Sequence, residues 1–363
     1  MRRLDKDLLK KNITDAAEYD LSRNNIKGCS YKVMQNGETI AEEYFGEAGE
    51  NTIFRLASMT KPITAAAILI LVDRGLLELS EEAESIVPEL CGICVNDGKN
   101  VTEPDTKISV MHLLTHSAGF GVQSCTDITA KDMETIEDTI KYYVKKGLAF
   151  SPFTSQMYSG VGAFDVLSAI VQRVTGEKYA DFLKKEIFTP CGMTDTGFAP
   201  TDSQKGRIIP MHQRIDGENA VFEMRENCIF ENFPWTHDLG GAGLFSTLAD
   251  YSKFAGMLVS GGISENGRIL SENAVKLLGT PFVPKEIMPR NERWGLGVRV
   301  ITEEEYGVLP TGTFGWSGAY GSHFWVDREN GVTAVFMKNS KFDGGSANAS
   351  ARRFERAVFE AFV

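Results

Sequence analysis

Both ends of the chain carry patterns of apolar and polar residues that predict short, regular elements. Residues 4–19 have apolar side chains at close to helical spacing, which predicts an opening helix. Two extended runs follow, at 29–34 and 39–45, and they flank Asn36 and Gly37. Asparagine followed by glycine is typical of a type I′ turn, because both residues tolerate a positive φ. The sequence therefore predicts a helix and then a β-hairpin.

The middle of the chain has a mainly helical pattern, and strand patterns return towards the C-terminus. One apolar stripe over residues 161–174 stops at Gly176, a residue type that commonly caps helix C-termini. In the tail, Phe354, Val358 and Phe362 lie four residues apart and mark a last helix. The predicted elements are helices over residues 128–146, 179–187, 249–258 and 347–362, and strands over residues 296–301, 313–316, 322–326 and 332–337.

Strand patterns at both ends, with helices between them, predict one sheet assembled from the two ends of the chain. We expect residues 1–57 and 291–363 to form this α/β sheet domain. Residues 58–290 are expected to form a mainly helical subdomain, with the active site in the cleft between the two parts. The longest apolar run, residues 62–72, is far shorter than the roughly 20 residues of a membrane span. It therefore predicts a buried helix.

Composition places the 363-residue chain among ordinary globular proteins, with 42% hydrophobic and 24% charged residues. Its formal net charge of −11 argues against a nucleic-acid footprint and against electrostatic binding to acidic membranes. The first thirty residues lack the apolar core of a signal peptide, so a cytoplasmic protein is expected. In that compartment the six cysteines are expected to be reduced thiols.

The first candidate for chemistry is Ser58, which stands three residues before Lys61 at the start of the apolar run. Residues at positions i and i+3 share a helix face, so the two side chains can come within hydrogen-bonding reach. A serine hydroxyl becomes a good nucleophile only when an adjacent base takes its proton, and a neutral amine can do so. The alternative is a capping serine beside an exposed lysine, because Ser-x-x-Lys is common by chance.

Four segments of the chain resemble, in the same order, motifs of the serine β-lactamase-like hydrolases. The chain is therefore identified as a member of this family, in its branch of class C β-lactamases, family VIII carboxylesterases and D-peptidases. The resemblance implies a β-lactamase/transpeptidase-like α/β fold, with a mainly antiparallel sheet, flanking terminal helices and an all-helical subdomain. It also implies an acyl-enzyme on Ser58, with Lys61 as a base. The four segments are residues 54–62 (FRLASMTKP), 71–79 (LVDRGLLEL), 112–119 (HLLTHSAG) and 240–247 (GGAGLFST).

The family's second motif, Tyr-x-Asn, is matched by Tyr158, Ser159 and Gly160. The resemblance implies that Tyr158 shares the proton with Lys61, as base during acylation and as acid toward the leaving group. Gly160 has no side-chain amide, so the part of the motif that would bind Lys61 or a substrate amide is missing or replaced. The alternative is that Tyr158 is only a packing tyrosine in a loop.

The family's third motif, Lys-Thr-Gly on a strand, is matched by Trp316, Ser317 and Gly318. The match implies that these residues bind substrate, with Gly318 allowing close approach to the strand. It also implies an oxyanion hole from the backbone N–H groups of Ser58 and Ala319. Trp316 removes the motif's cation, and the Trp-x-Gly form is similar to that of family VIII carboxylesterases. Alternatively, Trp316 is a strand aromatic without substrate contact.

A rival pattern is a zinc site made of Cys91, Cys94, His112 and His116. Seventeen residues separate Cys94 from His112, slightly more than the roughly 12–15 of a common zinc spacing. The two histidines also fall within the family's own segment, where they are expected to be structural. No metal and no other cofactor are therefore expected, and a redox pair of cysteines is expected even less.

These residues together predict a serine hydrolase that acts through an acyl-enzyme, and they favour a carboxylesterase for short, neutral acyl esters. A D-amino-acid amidase or peptidase, or a weak β-lactamase, would use the same machinery. A non-catalytic member that binds a ligand is the alternative from another class, because two motifs depart from the family pattern. The expected partner is a small-molecule acyl substrate, with no nucleic acid and no membrane.

Overall fold

The computed structural model describes residues 2–121, 134–216, 218–221, 237–303, 309–345 and 348–363. Its helices are α1 Lys6–Ser22, α2 Thr60–Asp73, α3 Val110–Leu114, α4 Ile136–Lys146, α5 Gly162–Thr175, α6 Tyr179–Leu183, α7 Thr189–Cys191, α8 Asp202–Lys205, α9 Leu248–Val259, α10 Glu272–Leu278 and α11 Ala349–Phe359. Its strands are β1 Gly28–Gln35, β2 Glu38–Gly46, β3 Ile53–Arg55, β4 Val95–Asn96, β5 Val101–Thr102, β6 His212–Ile215, β7 Glu218–Val221, β8 Phe245–Thr247, β9 Ile263–Ser264, β10 Gly267–Arg268, β11 Glu292–Trp294, β12 Arg299–Ile301, β13 Phe314–Ser317, β14 His323–Asp327 and β15 Val332–Lys338.

An antiparallel sheet of seven described strands has the order β11-β12-β13-β14-β15-β1-β2. Its two halves come from opposite ends of the sequence, because β1 pairs with β15 through partners such as Val33 and Ala334. Every residue of β15 is buried, which suits the mostly apolar segment from which this strand was predicted. The predicted α/β fold, with one sheet drawn from both ends of the chain, is confirmed.

The predicted hairpin is formed by β1 and β2. Asn36 has a φ of 50° and Gly37 has a φ of 82°, so both turn residues adopt the positive φ that a type I′ turn requires. One irregularity in the pairing lies between Val33 and Met34. Local sequence chemistry is therefore sufficient to fix this turn.

Helices cover both faces of the sheet. On one face, α1 and α11 pack together around Tyr31, whose ring stacks on Phe336 with centroids 4.7 Å apart and lies 5.0 Å from Phe354. On the other face, α9 packs against β15, β1 and β14. The two terminal helices thus share one face of the sheet, as the family resemblance implies.

The larger apolar core runs from the sheet into the helical part of the chain. It includes Phe324 and Met337 from the sheet together with Leu69 of α2 and Phe164 of α5. Because one core serves both parts in the described residues, the predicted division into residues 58–290 and two terminal parts stays a prediction.

The predicted buried helix is α2, in which every residue from Thr60 to Leu71 is buried. Its apolar run is therefore explained by packing inside the protein. Within the described ranges, no helix has both the length and the apolar character that a membrane crossing needs.

The tail helix predicted over residues 347–362 ends at Phe359, so Phe362 lies beyond α11 and forms a bridge with Leu4.

Two further predicted elements have different boundaries in the structure. The helix predicted over residues 179–187 continues from α6 into a π-helical turn, Lys184–Phe188. The strand predicted over residues 296–301 begins only at Arg299, because Gly297 adopts a φ of 71° and turns the chain. Both differences come from backbone geometry that apolar spacing does not report.

Two helix ends follow from capping residues. α5 ends at Gly176, which is left-handed with a φ of 72° and donates its N–H to the Gln172 carbonyl at 2.8 Å, so the predicted cap is confirmed. α4 begins after Thr135, whose side chain accepts the N–H of Asp138. The earlier part of that predicted helix, residues 128–133, lies outside the described residues.

Candidate active site

Ser58 stands where a short strand meets a helix. The strand is β3, which pairs with β8 in a short ladder that the apolar pattern does not predict. The chain then passes through Ala57 at a φ of 45°, a left-handed conformation that is strained for alanine. The 3₁₀ turn Ala57–Met59 leads into α2 and sets Ser58 at the start of the helix.

Lys61 and Tyr158 converge on the Ser58 hydroxyl. The Tyr158 hydroxyl donates to Ser58 Oγ at 2.6 Å, and Lys61 Nζ donates to the same oxygen at 3.3 Å. Lys61 is fully buried, and its Nζ also donates to the carbonyl oxygens of Gly160 at 2.8 Å and Gly241 at 2.7 Å. Three acceptors therefore surround one amine, which matches the three N–H donors of a lysine ammonium group.

Backbone oxygens bind Lys61 where the family's second motif would supply a side-chain amide. Gly160 contributes its carbonyl oxygen, so its missing side chain does not leave that side of the amine without a partner. A Cβ atom on Gly241 would lie 2.8 Å from the Gly160 oxygen and 3.3 Å from Lys61 Nζ. Glycine at position 241 therefore allows its own carbonyl to approach the amine closely.

His116 stabilises the loop that carries Tyr158 through two hydrogen bonds. Its Nδ1 accepts the N–H of Ser159 at 3.1 Å, and its carbonyl oxygen accepts the N–H of Met157 at 3.1 Å. The centroid of its buried ring lies 4.6 Å from that of Tyr158. Burial, together with the charge of Lys61, holds the pKa of His116 well below its ordinary value, so the ring is neutral.

Ser58 lines a cavity of about 470 Å³ with an aromatic wall. Trp294 and Trp316 form that wall and pack edge to face, with ring centroids 4.6 Å apart. The Trp316 indole N–H donates to the Tyr158 hydroxyl at 3.4 Å, and the Trp294 and Tyr158 rings stack 5.9 Å apart. The catalytic candidates thus stand at the end of a partly apolar space that is large enough for a small molecule.

Two backbone N–H groups at this cavity have no internal partner. Ser58 and Ala319 both line the cavity, and neither N–H donates a hydrogen bond within the described residues. Free N–H groups beside a nucleophile are the donors that an oxyanion hole requires. The geometry is therefore compatible with the predicted pair.

Two glycines that the sequence predicts as substrate-binding residues do not belong to the cavity lining in the described part of the chain. Gly160 contacts Lys61 through its carbonyl oxygen. Gly318 lies against the segment before Ser58, where an added Cβ would be 2.3 Å from the Leu56 oxygen. Both glycines therefore contact residues of the site without lining the cavity, whereas Trp316 and Ser317 do line it.

The sequence profile of the Beta-lactamase family matches residues 9–357. The chain belongs to the Beta-lactamase family. It is 28% identical over 365 residues to the esterase EstB of Burkholderia gladioli, in a match that covers 90% of this chain and 89% of EstB. Among solved structures, EstCE1, titled a hydrolase with promiscuous acyltransferase activity, has a TM-score of 0.85 at 21% identity and covers 98% of this chain and 99% of its own. A family VIII carboxylesterase has a TM-score of 0.76 at 18% identity, with 97% of each chain covered.

This Beta-lactamase family member is a serine hydrolase with a β-lactamase/transpeptidase-like fold, and both predictions are confirmed. The solved structures establish the fold, and the esterase relatives place the chain in the hydrolase branch that the four motifs indicate. A non-catalytic role, the alternative of another class, is thereby set aside.

In this Beta-lactamase family hydrolase, a buried cluster of ion-paired side chains adjoins the cavity. Arg299 lines the cavity and donates to Glu292 at 3.1 Å and to Glu355 at 2.6 Å. Burial alone would raise the pKa of Glu355, but Arg299 and the nearby His323 hold that pKa well below its ordinary value. The carboxylate is therefore charged at neutral pH and neutralises the arginine.

Lys338 is not a substitute for the lysine that Trp316 replaces. Its Nζ donates to the Asp343 carbonyl at 2.8 Å and to Ser350 Oγ at 3.1 Å, and it does not line the cavity. Burial lowers the pKa of Lys338 to about 8, against the opposing charge of Asp343. No described lysine other than Lys61 reaches the nucleophile.

The residues of the rival zinc pattern lie in different environments. His112 Nδ1 accepts the N–H of Ser109 in the cap of α3, whereas His116 packs beside Tyr158. Among the described residues, no group of three or more metal-binding side chains occurs. The described cysteines Cys29, Cys91, Cys94 and Cys191 are free thiols, and Cys125 and Cys228 lie outside the described residues.

The sequence reasoning missed three contributors to the site. Trp294 lies on the edge strand β11 and carries no motif, so no local signal marks it as a wall of the cavity. Gly241 and His116 do lie in segments that resemble the family. Their roles depend on a backbone carbonyl and a ring nitrogen, whose directions the sequence does not show.

Proposed function

We propose that the chain is a carboxylesterase that forms an acyl-enzyme on Ser58 and acts on short, neutral acyl esters. The observation that carries the proposal is the pair of hydrogen bonds on Ser58 Oγ, from Tyr158 at 2.6 Å and from Lys61 at 3.3 Å. A serine hydroxyl needs neighbours of this kind to lose its proton to a base. The names of EstB and of the family VIII carboxylesterase support the same class of substrate.

In the proposed acylation step, Tyr158 first loses its own proton to solvent, so its hydrogen bond with Ser58 reverses direction. The phenolate oxygen then takes the Ser58 proton while Oγ attacks the ester carbonyl. Lys61 has acceptors for all three N–H groups of an ammonium ion, so it stabilises the phenolate and the developing charge. Tyr158 then gives the proton to the leaving alcohol. In deacylation, Tyr158 takes a proton from the water that attacks the acyl-enzyme, and returns it to Ser58 Oγ as the bond between Oγ and the acyl carbon breaks and the carboxylic acid leaves.

The negative oxygen of each tetrahedral intermediate needs donors that are already in place. In the proposal these are the N–H groups of Ser58 and Ala319, which have no other partner in the described residues. Removing one such donor from a related arrangement typically costs about 10²–10³ in kcat. Because both are backbone groups, they cannot be deleted by side-chain substitution.

The cavity wall supports a preference for neutral substrates. Trp316 stands where the family's third motif has a lysine, and its N–H is directed to Tyr158. Arg299 also lines the cavity and could attract a carboxylate, but its charge is matched by hydrogen-bonded ion pairs with Glu292 and Glu355. A lost charge-assisted hydrogen bond weakens binding of a carboxylate by roughly 10–150-fold, from about 1.5–3 kcal/mol.

The test compares wild-type kcat/KM for p-nitrophenyl acetate and butyrate with that for nitrocefin. We expect the esters to be preferred, and Trp316→Lys to shift the ratio toward nitrocefin by at least about 10-fold. Comparable efficiency of the wild type on nitrocefin would contradict the esterase preference. Labelling by a fluorophosphonate probe, present in the wild type and absent in Ser58→Ala, reports the nucleophile separately.

Two variants test whether Ser58 and Lys61 act as one unit. Ser58→Ala and Lys61→Met are each expected to remove ester turnover, and the double variant should be hardly slower than either. Lys61→Met keeps the side-chain volume but leaves the Gly160 and Gly241 carbonyls without their donor, so it should also lower the melting temperature. Appreciable turnover by Ser58→Ala would rule out the proposed nucleophile.

A weak β-lactamase or D-peptidase activity is favoured by one observation. Arg290 lines the cavity as an exposed cation, and no ion pair of its side chain occurs in the described part of the chain. Solvent screens an exposed charge strongly, so its attraction for a substrate carboxylate is worth at most about 1 kcal/mol. Arg290→Ala should therefore lower nitrocefin kcat/KM by about 5-fold or less and leave ester turnover nearly unchanged.

A further inference from the structure

Ser317 connects the cavity with the buried ionic cluster behind it. It pairs with His323 across strands β13 and β14, which places both side chains on the same face of the sheet. Ser317 Oγ lies 2.8 Å from His323 Nδ1, and Ser317 lines the same cavity as Ser58. A residue that lines the cavity is thus in contact with an imidazole that does not line it.

The contact with Glu355 determines which nitrogen of His323 carries the proton. Its Nε2 lies 3.1 Å from Glu355 Oε1, and Glu355 is itself held by Arg299 at 2.6 Å and by Arg352 at 2.8 Å. The Nε2–Glu355 contact lacks the alignment of a hydrogen bond, but a carboxylate oxygen this close repels a nitrogen lone pair and attracts an N–H, so Nε2 is the protonated nitrogen. His323 Nδ1 is then an acceptor, and the Ser317 O–H must donate to it.

The charge state of the cluster agrees with this assignment. Burial lowers the pKa of His323, and the opposing effect of Glu355 does not restore it to the ordinary value. The imidazole is therefore neutral at neutral pH, with its single N–H on the nitrogen nearest the carboxylate. Protonation of both ring nitrogens, which would free the Ser317 proton, is disfavoured.

We propose that Ser317 is a hydrogen-bond acceptor for substrate, and that the uncharged ester carries an O–H or N–H donor beside it. The Ser317 proton is committed to His323, so toward a molecule in the cavity Oγ can act only as an acceptor. The neighbouring Trp316 N–H is likewise committed to Tyr158. This inference rests on the proposed esterase function and narrows its substrate class to hydroxy- or amide-bearing esters.

The experiment uses two series of esters, one varied in the acyl part and one in the alkoxy part. In each series, one position carries a hydroxyl group that can donate a hydrogen bond, a methyl group, or a group that can only accept one. On the acyl side these are the p-nitrophenyl esters of 3-hydroxybutyrate, 3-methylbutyrate and 3-oxobutyrate. On the alkoxy side they are 2-hydroxyethyl, propyl and 2-methoxyethyl butyrate. We compare kcat/KM for the hydroxyl substrate with kcat/KM for the methyl substrate. In at least one series, Ser317→Ala should lower the ratio of these two values by about 3- to 10-fold.

A matched control is Ser30→Ala, which removes another buried hydroxyl from the same sheet. Ser30 lies on β1 and its Oγ has no hydrogen-bond partner in the described residues, so the substrate ratios should stay at wild-type values. An unchanged hydroxyl-to-methyl ratio in Ser317→Ala, in both series, would overturn the inference. Absence of ester turnover and of Ser58 labelling in the wild type would instead overturn the proposed function.

Discussion

The Tyr158 hydroxyl is one of two donors on Ser58 Oγ, and its own ring is held by stacking with Trp294. Tyr158→Phe removes the hydroxyl and keeps this packing. We expect kcat to fall by about 10²–10⁴ with a smaller change in KM, because proton transfer is lost while the cavity is retained. Steady-state kinetics on p-nitrophenyl butyrate give both values.

Tyr143→Phe is the matched control for this substitution. Tyr143 is also buried, and its hydroxyl has no hydrogen-bond partner in the described residues, so its loss should change kcat by less than about 2-fold. If Tyr158→Phe were as active as this control, Tyr158 would have only a packing role. Lys61 or water would then carry the proton.

His116 holds both sides of Tyr158 through hydrogen bonds to the backbone of Met157 and Ser159. Its φ of 55° is unusual for a residue with a side chain, and asparagine tolerates that region well. His116→Asn can also present an acceptor to the Ser159 N–H. We expect it to keep kcat within about 10-fold of wild type, whereas His116→Leu should lower kcat by about 10²-fold through misplacement of Tyr158.

Comparison of kcat with KM and with the melting temperature distinguishes positioning from simple destabilisation. Equal loss of kcat in His116→Asn and His116→Leu would show that the accepting atom is not the important feature. Wild-type kcat in His116→Leu would show that the loop keeps its position without His116.

At the residue scale, side chains in motifs could be predicted and backbone contributions could not. Ser58, Lys61 and Tyr158 stand in recognisable segments, and the structure brings their polar atoms together. The carbonyl of Gly241 reaches Lys61 only because β3 pairs with β8, a contact between residues almost two hundred positions apart. No property of the local sequence shows such a long-range approach.

Among the elements, α11 depends on Phe354 for its attachment to the sheet. The ring is fully buried and lies 5.0 Å from Tyr31 and 5.8 Å from Phe336. Phe354→Ala should therefore lower the free energy of unfolding by about 3–5 kcal/mol, as expected when a large buried side chain leaves a cavity. Urea denaturation followed by fluorescence measures the change.

The half-buried Phe359 at the end of the same helix provides the comparison. Phe359→Ala removes the same atoms from a more exposed position and should cost clearly less than Phe354→Ala. Equal losses for the two variants would show that α11 is not anchored through its buried face.

Long elements with a clear period were predictable, whereas very short ones were not. The hairpin follows from turn chemistry, α5 from a helical stripe, and β15 from a mostly apolar strand segment. β3 and β8 have three residues each, too few to show any period, yet they carry the segments that meet at Lys61. The long helices and strands are therefore easier to predict from the sequence than the short strands that bring the site residues together.

For the whole molecule, buried histidines predict a loss of stability in mild acid. The pKa values of His116 and His323 are lowered by burial, with Lys61 facing the first and Arg299 and Arg352 near the second. In the unfolded chain both rings protonate near pH 6.5, so the unfolded state binds more protons below that pH. The free energy of unfolding should then fall by up to about 1.4 kcal/mol per pH unit for each histidine.

Glu355 adds to this trend at lower pH. Its pKa is lowered in the folded state, so its stabilising effect is present above the ordinary glutamate pKa of about 4.3 and is lost as the pH falls further. Urea midpoints at pH 7.5, 6 and 5 should decline steadily. A stability maximum at pH 5 would contradict the neutral state of the buried histidines, and His116→Asn should reduce the slope below pH 6.5.

The pairing of β1 with β15 joins residues about 300 positions apart, such as Val33 and Ala334. During synthesis at about 5–20 residues per second, the first hairpin waits on the order of 15–60 s for the strand that completes its sheet. Throughout that interval the inner edge of β1 is an open template of unpaired N–H and C=O groups. The nascent chain therefore depends on its surroundings, on the ribosome surface or a chaperone, to keep that edge from other chains until the last strands emerge.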